Sequence, residues 1–371
     1  MKKIIVIGSG ILGATTAYKL AKSGAQVTVI DRNEYGQATG SAAGIICPWL
    51  TQRRNQAWYW LAKEGARLYP ILINELKEDG ETKTGYAQTG AIHMHRDEQK
   101  LFATEQRALK RLSTAPEMGT ITRLDPTETQ KLFPLVEGPF HAIHVSGGAR
   151  VDGRLVRDAL LRGAKKYGAQ LITGEANLRQ ERSVIIGVTL SNKRVIEADM
   201  VIATTGAWTN NLLHPLGISF KGRSQKGQII HLQIPDANPE EWPVVMPPNN
   251  LSIVPFHGRV VIGATHEWKK EFDPCITVGG VHEILTKALE VAPRLHDGKI
   301  LETRVGFRPY TPESLPVIGP IPGINGLLIA NGLGSSGLTT GPYLGIQLAK
   351  LALNKPLNID LKDYDVMHAI D

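Results

Sequence analysis

Residues 2–31 place a short apolar run, a glycine turn, a helix-like stretch and a second apolar run ending in an acid within one short unit. Lys2 to Ile7 reads KKIIVI, followed by Gly8-Ser9-Gly10-Ile11-Leu12-Gly13. Ala14 to Lys22 carries a helical pattern, and Gln26 to Ile30 leads into Asp31. A GxGxxG turn alone says little. Between two strands, opening a helix and followed by an acid, it is the dinucleotide-binding fingerprint. Each part has a physical task. Gly8 permits the tight turn, Gly10 lets backbone amides approach a pyrophosphate, and Gly13 lets helix and strand pack closely. The helix N-terminus offers unpaired N–H groups and the positive end of its dipole to phosphate oxygens. Asp31 is placed to accept hydrogen bonds from a ribose hydroxyl. It disfavours a 2′-phosphate, although Arg32 beside it offsets part of that repulsion. At this point both FAD and NAD satisfy the pattern.

The rest of the chain must supply a second layer of function. At 371 residues it exceeds what one simple core spans, so two domains are expected. Its short apolar start runs straight into the glycine turn, unlike a secretory signal, and no apolar run is long enough for a membrane span. Two cysteines, Cys47 and Cys275, give no disulfide framework and fit a reducing cytoplasm. The formal charge of +7 is spread along the chain, with short clusters only at Arg53-Arg54 and Lys269-Lys270. A solvated basic surface is therefore expected rather than a nucleic-acid face. No metal-ligating cluster stands out in the pattern.

The order of the segments points to interleaved domains. Small residues fill the loop from Gln37 to Gly44, where backbone can approach a ligand closely. Helices are expected over 56–76, 98–112 and 155–167, with a capped start at Asp125. A strand pair is expected over 85–94, and a β-meander over 170–173, 183–190 and 194–197. Ala198 to Gly206 reads as a buried strand that returns to the parallel sheet and sets Thr205 and Gly206 beside the dinucleotide. Residues 215–305 are richer in proline and alternating patterns, as an antiparallel sheet requires. A strand at 327–330, a glycine loop and a helix at 340–353 close the chain, adding another helix N-terminus able to hold an electron-rich group. Arg308 stands as the only basic residue in the segment VGFRPYTPESLPVIGP. An arginine there can clamp a carboxylate bidentately or form a structural ion pair, and chemistry alone does not choose.

Taken together, GSGILG with Asp31, Ser41-Ala42-Ala43-Gly44, VIATTGAW at 201–208, VVIGATHE at 260–267, GFRPYTPESLPVIG and GLGSSGLTTGP make the chain similar to the FAD-dependent D-amino-acid oxidase family. It most resembles the branch of glycine oxidases and D-amino-acid dehydrogenases, over nearly its whole length. The resemblance implies an α/β fold, with a Rossmann-like FAD-binding domain interleaved with an antiparallel-sheet substrate domain of α+β type. The expected segments are 1–84, 146–214 and 305–371 for FAD and 85–145 and 215–304 for substrate. It implies oxidation of the C–N bond of a small amino acid by hydride transfer to flavin N5, the imine then hydrolysing. Dioxygen or a quinone-linked carrier is the expected electron acceptor, and a homo-oligomer is allowed.

Carried over residue by residue, the resemblance sets Ile11 and Leu12 at the pyrophosphate and Asp31 and Arg32 at the adenosine ribose. Ala38, Thr39, Ala43, Gly44 and Ile45 fall on FAD-lining positions, as does Ser41 within that loop. Asn177 falls near the adenine, and Leu333, Gly334, Ser335, Ser336, Gly337, Leu338 and Thr339 around the flavin pyrimidine edge. Arg308 falls on the arginine that binds the substrate carboxylate. Ser252 stands where glycine oxidases have a tyrosine, and Ser335 near where they have an arginine. No cysteine occupies the position of covalent flavin attachment in sarcosine-oxidase-like relatives, so FAD is expected to be non-covalent. His93, His266 and Tyr310 join Ser252 as pocket candidates, whereas Trp58 and Trp208 are expected in packing and Arg53-Arg54 on the surface or in structure. No side chain is assigned as acid or base, because hydride transfer from a neutral amine needs none. Three other readings are an NAD-dependent dehydrogenase, a flavin-binding structural subunit of a larger oxidase, and a tRNA-modifying flavoprotein.

Overall fold

The computed structural model describes residues 1–268 and 271–371; the pair Lys269-Lys270 lies outside the described residues. Lys3–Ile7 pairs in parallel with Gln26–Asp31 on one side and with Met200–Ala203 on the other. The full sheet has six strands, in the order Val317–Pro320, Leu327–Asn331, Met200–Ala203, Lys3–Ile7, Gln26–Asp31 and Gln170–Thr173. All neighbours are parallel except Val317–Pro320, which runs antiparallel to Leu327–Asn331. The continuous apolar run of the first strand follows from burial on both faces. Ile4 and Val6 join the core beneath the helices, while Ile5 and Ile7 join the core on the opposite face. Helix Ile11–Lys22 packs against Gly153–Lys166 and Gly337–Ala352 on one side of the sheet. Ala176–Glu181, Val184–Leu190 and Val195–Glu197 form a three-stranded antiparallel sheet, whose Ile185 and Val188 lie in the core of the other face.

The expected meander needs correction. Gln170–Thr173 does not belong to it but pairs in parallel with Gln26–Asp31, from Thr28↔Gln170 to Asp31↔Thr173. The meander's first strand is instead Ala176–Glu181. The strand pair expected over 85–94 is one strand, Ala91–His95, whose ladder partners are Val244–Met246 and His141–Val145. The segment before it makes an isolated bridge from Ala87 to Arg150. The helices appear as Gln56–Glu78, Glu98–Leu112, Gly153–Lys166 and Gly337–Ala352. At Pro126–Leu132 a capping box forms, with Asp125 Oδ1 accepting from the Glu128 amide and Glu128 Oε2 from the Asp125 amide.

A second, nine-stranded sheet is built mainly from 91–145 and 223–310. Its long strand Arg223–Gln233 pairs antiparallel with Lys299–Tyr310 on one side and with Arg259–Gly263 and Glu267–Trp268 on the other. Ser252–Phe256 and Val244–Met246 continue it toward Ala91–His95. The end of Lys299–Tyr310 reaches the small-residue loop: the Phe307 amide donates to Gly36 O at 2.8 Å, and Ser41 Oγ donates to Val305 O at 2.7 Å. That junction seats the second sheet against the loop that follows the second strand of the first, where Arg304 Nη1 also donates to Gly40 O at 3.0 Å.

The six-stranded sheet changes direction between Lys3–Ile7 and Met200–Ala203. The chain winds outward from the first strand through Gln26–Asp31, then returns on its other side. Ligands in open α/β sheets bind beyond the carboxyl ends of the strands at such a reversal. Ile7 and Ala203 are register partners there, so the turn at Gly8 and the segment Thr204-Thr205-Gly206 face one crevice.

Candidate active site

An elongated cavity of about 1920 Å³, open mouth included, occupies that crevice and extends to the second sheet. One end is lined by Asp31, Arg32, Glu175 and Asn177, the other by Ser252, His266 and Arg308. Its waist is formed by Gly10, Ile11, Leu12, Ala43, Gly44 and the glycine loop at 333–339. The turn at the waist requires small residues. A Cβ on Gly13 would lie 1.9 Å from Gly8 O, so the first helical turn can press against the strand end only with glycine there. The Ile11 amide at the helix start donates to Thr39 Oγ1 at 2.9 Å, fixing the small-residue loop over the helix N-terminus. Asp31 ties the neighbouring turn together. Its Oδ2 accepts from the Ser9 amide and hydroxyl at 2.6 and 2.9 Å, and its Oδ1 from the Asn33 amide and Gln37 Nε2 at 2.6 and 2.8 Å. Arg32 is held by Glu34 at 2.7 Å and Glu175 at 3.0 Å.

Helix Gly337–Ala352 points its N-terminus at the same waist, with Gly337, Leu338 and Thr339 on the wall. Thr339 Oγ1 donates to Ile45 O at 3.1 Å, and Tyr69 OH to Leu338 O at 2.5 Å. Asn331 joins this loop to the returning strand by donating from Nδ2 to Gly206 O at 2.8 Å. Two helix N-termini, a run of small side chains and a carboxylate at one end suit a long anionic dinucleotide with a polar ring system. The residues present therefore fit FAD.

The second-sheet end is organised around Arg308. Arg308 is the direct cross-strand partner of Gln225, and Gly227 is that of Gly306, so Arg308, Gln225 and Gly227 share one face. Arg308 Nη1 donates to Gln225 Oε1 at 2.8 Å and to Thr265 O at 3.0 Å. The guanidinium lies across the strand at Gly227, where a Cβ would be 2.6 Å from Nη2. A glycine inside a strand often marks such a close approach. Both acceptors are neutral, so the charge is oriented without being neutralised. Burial pushes the Arg308 pKa down, opposed by Tyr310 and Glu267, yet a guanidinium stays protonated in proteins. His266 Nδ1 lies 3.2 Å from Gln225 Oε1 and 3.4 Å from Arg308 Nη1. Burial and the adjacent Arg308 charge hold its pKa below the usual histidine range.

Most of the expected residues line this one cavity, including Thr205, Gly206, Ser335 and all those named from the loop at 38–45. Four do not. Gly13 packs inside the turn, and Ser336 accepts Thr340 Oγ1 at 3.0 Å through its carbonyl. The Tyr310 ring packs over Gly334 and against Trp268 beside the lining. His93 Nδ1 lies 2.8 Å from His95 Nε2, which is itself 3.0 Å from Thr104 Oγ1. Burial, His95 and Arg107 push the His93 pKa down to about 4, so it is a neutral member of a structural pair.

Trp208, expected in packing, lines the cavity. It stacks on Phe272 with centroids 5.4 Å apart and carries the Arg32 guanidinium 5.7 Å from its ring centre. Arg53 fits its structural reading, lying over the Trp58 ring at 4.3 Å and donating to Ser314 O. Sequence reasoning missed Gln37, Gln225, Gly227, Asn250 and Ala264. The one available signal was a glycine, Gly227, inside the strand Arg223–Gln233 two residues after Gln225.

Comparison with known proteins gives this geometry its chemistry. The family described as DAO, FAD dependent oxidoreductase, matches residues 3–351. The chain is 54% identical over 372 residues to the uncharacterized oxidoreductase YurR of Bacillus subtilis (strain 168), covering 100% of each chain. It superposes with a TM-score of 0.95 on iminodiacetate oxidase from Chelativorans sp. BNC1, at 44% identity and 98% coverage of both chains. With glycine oxidase from Geobacillus kaustophilus the TM-score is 0.87, at 25% identity and 99% coverage of both. A match that runs from the first strand through the last helix takes in both sheets and the cavity between them, so the chain belongs to the DAO family and is an FAD-dependent oxidoreductase.

Proposed function

We propose that the protein is an oxidase of small amino acids that breaks a C–N bond, with secondary amines of the iminodiacetate or N-substituted glycine type as its first candidates. The observation that carries this reading is Arg308, whose hydrogen-bond acceptors are neutral and whose guanidinium lines the cavity. A desolvated guanidinium facing open space selects an anion, and its planar fork suits a carboxylate. Similarity to an iminodiacetate oxidase and a glycine oxidase supports the amino-acid class. Ser252 in place of a bulkier side chain leaves room for a substituent on the amine.

When bound, FAD supplies the two-electron acceptor for this oxidation. Gln225 and Thr265 fix the Arg308 fork, Arg308 fixes the substrate carboxylate, and the α-carbon is thereby oriented. Gly8, Gly10, Ile11, Leu12 and the 38–45 loop are proposed to hold the pyrophosphate region. Asp31, Arg32 and Asn177 are proposed to hold the adenosine end, and residues 333–339 the ring. Strands of the six-stranded sheet fall within 1–84, 146–214 and 305–371. Strands of the nine-stranded sheet fall within 85–145 and 215–304, apart from Lys299–Tyr310, which spans residue 305. This supports the proposed division into FAD and substrate domains. We place the protein in the cytoplasm, supported by its two unpaired cysteines; no helix among the described residues is long and apolar enough to cross a membrane.

The direct test is an anaerobic screen of the purified holoenzyme against iminodiacetate, sarcosine, glycine, D-proline and D-amino acids. Loss of flavin absorbance with at least one of them is expected, and air should restore the colour on the timescale of turnover. If no amino acid bleaches the flavin while simple amines do, the amino-acid reading fails. Restoration only by a quinone would make the enzyme a dehydrogenase.

FAD is proposed to be non-covalent. Neither cysteine lines the cavity, and burial pushes the Cys47 thiol up to about 12, suppressing its thiolate. Acid precipitation is expected to release the yellow colour into the supernatant. Colour retained in the pellet would show a covalent bond.

A further inference from the structure

His266 and Arg308 converge on one end of the cavity, yet carboxylate clamping uses only Arg308. Gln225 Oε1 accepts from Arg308 Nη1 at 2.8 Å and lies 3.2 Å from His266 Nδ1. One oxygen thus holds both side chains in place. Because Nδ1 faces Gln225, the opposite ring nitrogen, Nε2, is turned away from it, and the residue lines the cavity. We propose that His266 recognises a second carboxylate on the substrate, so that the site selects dianionic amino acids over monoanionic ones. This rests on the amino-acid reading above and names the substrate class within it.

The charges around His266 explain how one histidine can discriminate. Besides Arg308 on Lys299–Tyr310, helix Val278–Val291 presents Lys287 and Glu283. Those two pair with each other at 2.6 Å and largely offset one another. Glu267, next in sequence, accepts from Gln228 Nε2 at 2.8 Å and Thr265 Oγ1 at 2.7 Å. Among the described residues Arg308 is the largest neighbouring charge, and with burial it holds the pKa of free His266 below the usual histidine range. A first carboxylate on Arg308 offsets that charge. A second carboxylate beside the ring favours the imidazolium, so a proton is taken up on binding. The sign follows. Complexed His266 has a higher pKa than free His266, so dianion affinity is greatest below the free pKa. It falls as pH rises between the two values, by at most about tenfold per pH unit.

The test uses oxydiacetate, which carries two carboxylates and an ether oxygen in place of the amine, and methoxyacetate, which lacks one carboxylate. Both are titrated into the FAD-loaded protein by calorimetry, in two buffers of different ionisation enthalpy that report protons taken up. Wild type is expected to bind oxydiacetate at least tenfold more tightly than methoxyacetate near pH 7, with the larger proton uptake. His266→Gln and His266→Asn should retain FAD and lose both the preference and the extra proton. If both ligands bind but either variant keeps the preference and the proton uptake, the His266 assignment is wrong. Asn250 or Ser252 would then be the partner of the second carboxylate. If neither ligand binds wild type, the carboxylate clamp at Arg308 fails and the assignment falls with it.

Discussion

Replacing Arg308 with alanine is expected to leave FAD bound while slowing anaerobic flavin reduction by the true substrate about a hundredfold or more, equivalent to roughly 2.7 kcal/mol. The structure explains why the two effects should separate. Arg308 is held by Gln225 Oε1 and Thr265 O, both on the second sheet, and makes no hydrogen bond to the turn at Gly8 or to the glycine loop. Its loss therefore removes substrate attraction and orientation without dismantling the dinucleotide wall. An ion pair made inside the cavity is also screened by solvent less than a pair on the surface. Arg308→Lys should recover only part of the rate. One ammonium cannot donate to Gln225 and Thr265 while presenting a planar fork to a carboxylate. Substrate analogues lacking the carboxylate should reduce the wild-type flavin poorly. If the alanine variant reduces as fast as wild type, Arg308 is structural and a simple amine oxidase becomes the better reading.

The parts of this site that were legible in the sequence are those written locally. The turn from Gly8 to Gly13, the strand before it and Asp31 after it form one contiguous signal; Ile7, Gly8, Gly10, Ile11, Leu12 and Asp31 line the predicted crevice, while Gly13 packs inside the turn. The returning strand was legible because a short run buried on both faces must be continuously apolar. Pairing over distance was not legible. Gln170–Thr173 has an ordinary strand composition, and only its register with Gln26–Asp31 assigns it to the parallel sheet. The support of Arg308 was hidden for the same reason, since Gln225 lies 83 residues away in sequence. Gly227 could have been noticed inside a strand, but not the guanidinium it admits. Trp208 was misjudged because an aromatic after a glycine turn suits packing and wall alike. Its contacts with Phe272 and Arg32 depend on segments far along the chain. Arg308 itself emerged from family resemblance, because its own segment left the clamp and the ion pair equally open.

Asp31→Ala is expected to weaken FAD binding about 10- to 150-fold, the range for losing one hydrogen bond to a charged group worth roughly 1.5–3 kcal/mol. The carboxylate has a second duty that the sequence did not reveal. Its oxygens accept from the Ser9 amide and hydroxyl, the Asn33 amide and Gln37 Nε2, which uses about the four sites a carboxylate offers. A ribose hydroxyl must share or displace one of these donors. The alanine variant should therefore lose ribose recognition and also loosen the turn between Gly8 and Gly10, lowering the melting temperature even without FAD. Asp31→Asn separates the contributions. Its amide oxygen still accepts from an amide donor, but its NH2 group cannot accept from the Ser9 backbone, so intermediate FAD affinity is expected. Flavin fluorescence quenching on titrating FAD into apoprotein measures the affinity. Turnover at saturating FAD should stay near wild type, because Asp31 and Arg308 line opposite ends of the cavity. Unchanged FAD affinity in the alanine variant, with only a lower melting temperature, would reduce Asp31 to a brace for the turn and move ribose recognition elsewhere.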